Sequence, residues 1–133
     1  MNELFTIKNI NADTASNEIC ALSAYFWLLS LVVDALNRNV SLGKEEKMRE
    51  YGIMGDILTK EFIFGDAFFE LKKSENEQIQ DTTDQLEDVV NDVISICDQA
   101  GIGEDKDTPR KVKETLNKLR ENYLQFLSNR PVV

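Results

Sequence analysis

The chain has no histidine, and only two cysteines, two prolines and one tryptophan among its 133 residues. Without histidine there is no Ser-His or Cys-His catalysis, no histidine-bearing zinc site and no Glu-x-x-His di-iron pattern. Two isolated cysteines, Cys20 and Cys97, cannot build a four-cysteine zinc site within one chain. Each lies inside an apolar helical pattern and reads as a small buried hydrophobe in a reducing cytoplasm. The scarcity of proline, with 42% hydrophobic residues, excludes a disordered tail. No glycine-rich phosphate loop follows a strand. Positive charge is also short. A net charge of −9 disfavours direct binding to nucleic acid or to an anionic membrane, and fits a soluble protein or one with a basic partner. The first eighteen residues hold Glu3, Asp13 and Glu18 against Lys8, which is not the pattern of a secretory leader. The length suits a single helical domain over 1–133.

One long uncharged run stands out against this background. Ile19 to Val33 reads ICALSAYFWLLSLVV, in a sequence that is 29% charged. The run is shorter than the ~20 apolar residues of a membrane span and is flanked by Glu18 and Asp34, so no span is expected. A helix apolar on nearly every side needs cover on nearly every side, from its own chain or from a partner.

Periodicity predicts an all-α fold, an irregular antiparallel four-helix bundle with this first helix at its centre. The segment Leu4–Ile10 is too short and irregular to assign, and reads as a short strand or an extended arm. The first helix is expected from Asp13 or Thr14 to Asn37, with Ile19, Leu22, Phe26, Leu29, Val33 and Leu36 as its core seam. Ala24, Leu28, Leu31 and Ala35 form a second apolar stripe. The least apolar side carries Cys20, Ser23, Trp27, Ser30 and Asp34. A second helix starts after Ser41, weakened by Gly52, Gly55 and Gly65. It is expected to continue as two pieces with a kink near Phe64-Gly65-Asp66, a hairpin there being the alternative. The third helix has the seam Ile79, Leu86, Val90, Val93, Cys97 and Ala100, with Gly101 as its cap. Thr108-Pro109 opens the last helix, with Val112, Leu116, Leu119, Tyr123 and Phe126 as its seam.

These last two helices differ in charge. Glu75 to Asp107 holds eleven acids and one base, whereas Thr108 to Val133 holds six bases and two acids. Opposite charge along their edges would favour pairing. Burial of the seams must supply most of the stability, because exposed ion pairs give only ~0–1 kcal/mol each.

Two surfaces are candidates for function, and no catalytic or metal-ligating residue is assigned. Ser23, Phe26, Trp27 and Ser30 are the expected interface residues, because tryptophan anchors binding surfaces and three other amphipathic segments struggle to cover all sides of one helix. Glu77, Asp81, Asp84, Asp88 and Asp92 recur every three or four residues and share one acidic face. That face is either simply solvated, a surface for a basic partner, or a holder of Mg²⁺ for phosphate chemistry. Its carboxylates show a partial resemblance to the helical nucleotide pyrophosphohydrolases of the MazG-like class. Glu45, Glu46 and Glu50 are spaced one residue wider than that family's first motif, and Glu87, Asp88 and Asp92 miss the second. The resemblance implies an Mg²⁺-dependent nucleotide hydrolase. Asp107 to Val112 also resembles a short helix start in GTP cyclohydrolases, without the cysteine and histidine motifs those enzymes need.

The expectation is therefore a cytoplasmic, non-catalytic interaction protein, forming a homodimer, with no cofactor and no direct contact with nucleic acid or membrane. The alternatives are the Mg²⁺-dependent hydrolase and an acidic nucleic-acid mimic that blocks a basic protein.

Overall fold

The computed structural model describes residues 10–99 and 107–128, with side chains from Asn17 onward. All five long elements are helices: α1 (Ile10–Arg38), α2 (Lys44–Leu58), α3 (Asp66–Lys72), α4 (Glu77–Asp98) and α5 (Asp107–Ser128). No strand occurs among the described residues. The fold is all-α, as the periodicity predicts. The expected arm lies outside the described residues except for Ile10, which already belongs to α1, so this helix begins earlier than the Asp13–Thr14 start. The expected Gly101 cap also lies outside them. Helix α5 starts at Asp107, which puts Thr108 and Pro109 in its first turn.

Each helix buries the stripe its sequence period lays down. In α1, Leu22, Phe26, Leu29, Val33 and Leu36 are buried, and Ile19 is half-buried against them. In α4 the buried set runs Ile79, Leu86, Val89, Val90, Val93, Ile96 and Cys97. In α5 it runs Val112, Leu116, Leu119 and Tyr123. These residues and Tyr51, Leu58, Phe62, Phe68 and Leu71 form one core. Burying each large apolar side chain stabilises the fold by about 1.5–3 kcal/mol. Helix α4 packs against all four others, and α1 packs against α5, α4, α3 and α2.

Polar groups inside this core are matched. Thr82 and Thr83 are buried in α4, and their hydroxyls donate to the carbonyls of Gln78 and Ile79, each at 2.8 Å. The Tyr51 hydroxyl donates to Leu36 O at 3.1 Å, tying α2 to the end of α1. The start of α4 is fixed locally. Asn76 Oδ1 accepts from Gln78 N and Ile79 N, satisfying two of the free donors at the helix start. Residues 73–76 connect α3 to α4.

Between α2 and α3 the chain makes two helical pieces with a break, and no hairpin. Thr59–Ile63 is wound as a π-helical turn, closed by Phe64 N donating to Thr59 O at 3.0 Å. This extra residue shifts the register of the chain beyond it. Phe62 and Phe68 point into the core, while Phe64 and Phe69 face out at 76% and 55% exposure. Tyr25 of α1 completes a ring cluster, 4.8 Å from Phe62 and 5.3 Å from Phe68 by centroid. Gly65 has an ordinary backbone angle but no room, because a β-carbon there would run into the Glu61 carbonyl oxygen. Gly55 lets α2 approach α4, since its β-carbon would stand 3.3 Å from that of Cys97.

Candidate functional site

Helix α1 meets the rest of the molecule on only part of its circumference. Toward α5, Phe26 stacks on Tyr123 at 5.2 Å, and the Tyr123 hydroxyl donates to Ile19 O at 2.9 Å. Further along, Asp34 pairs with Lys113 at 3.1 Å, and Asn37 Nδ2 donates to Pro109 O. These contacts run antiparallel, from Ile19 beside Tyr123 to Asn37 beside Pro109. Toward α3, Tyr25 faces the phenylalanine cluster. The side opposite the core has no cover among the described residues. Ser23, Ala24, Trp27 and Leu31 are exposed there, Trp27 at 66% and Leu31 at 48%.

The four residues expected at an interface therefore divide. Trp27 and Ser23 are on the open side, and Ser30 is half-buried at its edge. Phe26 is not a surface residue. It is 2% exposed and belongs to the core, because it falls on the same stripe as Leu22 and Leu29 and fills the space beneath Tyr123. Conversely, Ala24 and Leu31, which the periodicity places on a second apolar stripe, are open. By helix geometry the open side is turned about 35°, roughly a tenth of a turn, from the least apolar side toward Ala24 and Leu31, and Lys113 of α5 reaches over Asp34 at the other edge. Nothing in α1 signals this shift. It comes from where the α5 seam places α5.

The α5 border of this face has its own character. Arg120 and Leu124 follow Lys113 by seven and eleven residues, so all three share the helix edge that reaches Asp34. Both are exposed, Leu124 at 49%. The open face thus has an apolar middle and a border bearing Lys113 and Arg120.

The acidic face of α4 is on another side. Glu77, Asp81, Asp84, Asp88 and Asp92 are all exposed, and none forms an ion pair with a described residue. Among the described residues no three of His, Cys, Asp or Glu are grouped so as to hold a metal ion. The acidic residue of α4 that does pair is Glu87, whose Oε2 accepts from Lys72 Nζ of α3 at 2.7 Å. The expected charge matching between α4 and α5 does not occur as ion pairs among the described residues. Lys113 goes to α1, and Arg110 pairs with Asp107 in its own first turn. Apolar seams join these helices, in keeping with the small contribution of exposed ion pairs.

Two groups, buried Cys20 and half-buried Tyr25, have shifted acidity. Burial pushes the Cys20 thiol above its usual range, so it is a poor nucleophile at neutral pH. The Tyr25 hydroxyl is pushed up by burial first and by the nearby Glu61 carboxylate second, against a smaller downward effect of a Phe68 backbone hydrogen bond. Both cysteines are buried.

The stretch Asn17–Ser41 is long and apolar enough to cross a membrane, by length and composition alone. It exceeds the uncharged run because neighbouring polar residues lengthen it. Its Leu22–Leu36 stripe is buried against the other helices.

Comparison of the chain with known protein families, with curated proteins and with solved structures found no match.

Proposed function

We propose that this is a non-catalytic interaction protein that works through protein–protein contacts made by the open face of α1. The observation that carries this reading is Trp27, a large aromatic side chain two-thirds exposed on the uncovered side of α1. Tryptophan is enriched among the residues that dominate binding energy, and an uncovered apolar patch of this kind is costly to leave in water. In this reading the chain forms one domain, an antiparallel four-helix bundle in which α2 and α3 together count as one broken helix. The medium is the cytoplasm, which suits cysteines used as small buried hydrophobes. The acidic face of α4 keeps the protein soluble and steers basic molecules toward that side. The Mg²⁺-dependent hydrolase reading draws no support from the carboxylates, which form no such group among the described residues.

Photo-crosslinking in the native host tests this. A photoreactive residue at position 27 or 31 should give protein adducts, and one at position 84 or 92 should give far fewer. Adducts at 84 or 92 alone would move the docking surface to the acidic face and favour the mimic. Turnover of nucleoside triphosphates with Mg²⁺, abolished by Asp88→Ala, would replace the reading with the hydrolase.

A further inference from the structure

We infer that the occupant of the open α1 face is a second copy of this chain, bound through the same face. The inference rests on the reading of that face as a docking surface. Two features choose the occupant.

The first is area. Trp27, Leu31 and Leu124 leave on the order of 350 Å² of side-chain surface open, given their exposures of 66%, 48% and 49%. One side of a standard interface buries ~800 Å², a little over half of it apolar. The three side chains with exposed Ala24 beside them supply most of that apolar share from one contiguous face. A two-fold axis would bring two such faces together, so each copy supplies both halves of the contact.

The second is charge. A copy carrying −9 can approach another only through a surface that holds its acids away from the partner's. The exposed side of α1 between Ser23 and Leu31 has no charged residue, and on its border Lys113 is paired with Asp34. A basic partner would find no acid on that stretch and would be drawn to the exposed α4 acids instead. The α1 face therefore fits a neutral apolar surface, which is what the same face of a second copy offers. Within it, large Trp27 and small Ala24 lie three residues apart, so a face turned onto itself can set one against the other.

The test uses the intact chain and its single tryptophan. Light scattering and sedimentation over a micromolar range should give a dimer that dissociates on dilution, with Trp27 emission moving to the red as it does. Trp27→Glu and Leu31→Glu should each weaken the dimer by at least about 30-fold, the scale of an interface hot spot. Their helix content and core stability should be unchanged. Asp88→Asn on the far side should leave the dimer as it was. A dimer indifferent to both glutamate substitutions would overturn the inference. So would a monomer whose Trp27 is already shielded, since another part of the chain would then cover it. A monomer at ~100 µM with water-exposed Trp27 would also overturn the second copy as occupant. In that last case, adducts at position 27 in the native host would preserve the docking reading, and their absence would remove it as well.

Discussion

Helices α1 and α4 handle apolar content in opposite ways. Helix α4 divides its residues cleanly, with Ile79, Leu86, Val90 and Val93 inward and Asp81, Asp84, Asp88 and Asp92 outward. Each side meets the solvent its chemistry prefers, so the helix has one stable orientation. Helix α1 buries the seam its spacing predicts, but it offers apolar residues on its other sides too, so its own residues do not say which of those stays open. The neighbours decide. Helix α5 covers one flank, α3 the other, and Trp27 and Leu31 are left over. A helix with a polar side is finished by its own bundle, whereas one without a polar side leaves a surface for something else.

The sharpest way to break this contrast is to remove apolar volume from each side of α1 in turn. Leu29→Ala should cost about 2–5 kcal/mol, because Leu29 is wholly buried and its loss leaves a cavity. Trp27→Ala should change the stability of the dilute monomer by no more than about 0.5 kcal/mol, although it deletes more atoms. Chemical denaturation at low protein concentration measures both. A cost above about 2 kcal/mol at Trp27 would show that this side chain is part of the core after all.

The next test concerns the break that sorts the phenylalanines. Gly65→Ala should destabilise by about 1–3 kcal/mol, since its methyl group meets backbone and not a flexible side chain. Phe64→Ser, one residue away and exposed, should be nearly neutral. If Gly65→Ala left thermal stability untouched, the tight π-helical closure would be wrong.

Smaller effects test how α4 holds its orientation. Asn76→Ala removes an acceptor from two backbone donors and should cost ~1 kcal/mol. Lys72→Met should cost less than about 1 kcal/mol, because the Lys72–Glu87 pair is partly exposed and exposed pairs contribute little. Asp84→Asn with Asp88→Asn should raise stability by a few tenths of a kcal/mol at low salt through reduced repulsion, and the gain should fade as salt is added.

Acidity gives a last and smallest distinction. Tyr25 keeps its proton to higher pH in the folded chain than in the unfolded one. Its contribution is complete below the ordinary tyrosine pKa and is lost as pH rises from there through the folded value. Stability should therefore fall at alkaline pH, and Tyr25→Phe should reduce that fall. Both thiols should react with an aromatic disulfide reagent only as fast as the chain opens.

Much of this molecule is legible in residue order, and the exceptions share a cause. The seams of α4 and α5 are legible because their apolar residues recur at helical spacing against a charged background. The break after α2 is legible in its glycines: a side chain at Gly65 would collide with backbone, and one at Gly55 would crowd Cys97. The acidic face is legible because exposed charge has only one place to go. The place of Phe26 is legible in its seam, and only its second reading as an interface residue fails; the exposure of Leu31 is not legible, because nothing in the apolar stripe beside that seam marks which part stays open. The pairing of Lys113 with Asp34, in place of an α4 acid, is equally hidden, since charge counts say how much attraction exists and not which edges meet.

Residue order by itself determined that this chain is helical, where its seams run and which side of α4 is charged, because local periodicity and the solubility of charge act within a few turns. Which side of α1 stays open was settled only when α5 and α3 packed against it. That choice depends on contacts between segments up to a hundred residues apart, such as Tyr123 with Ile19, and no pattern within one helix encodes them.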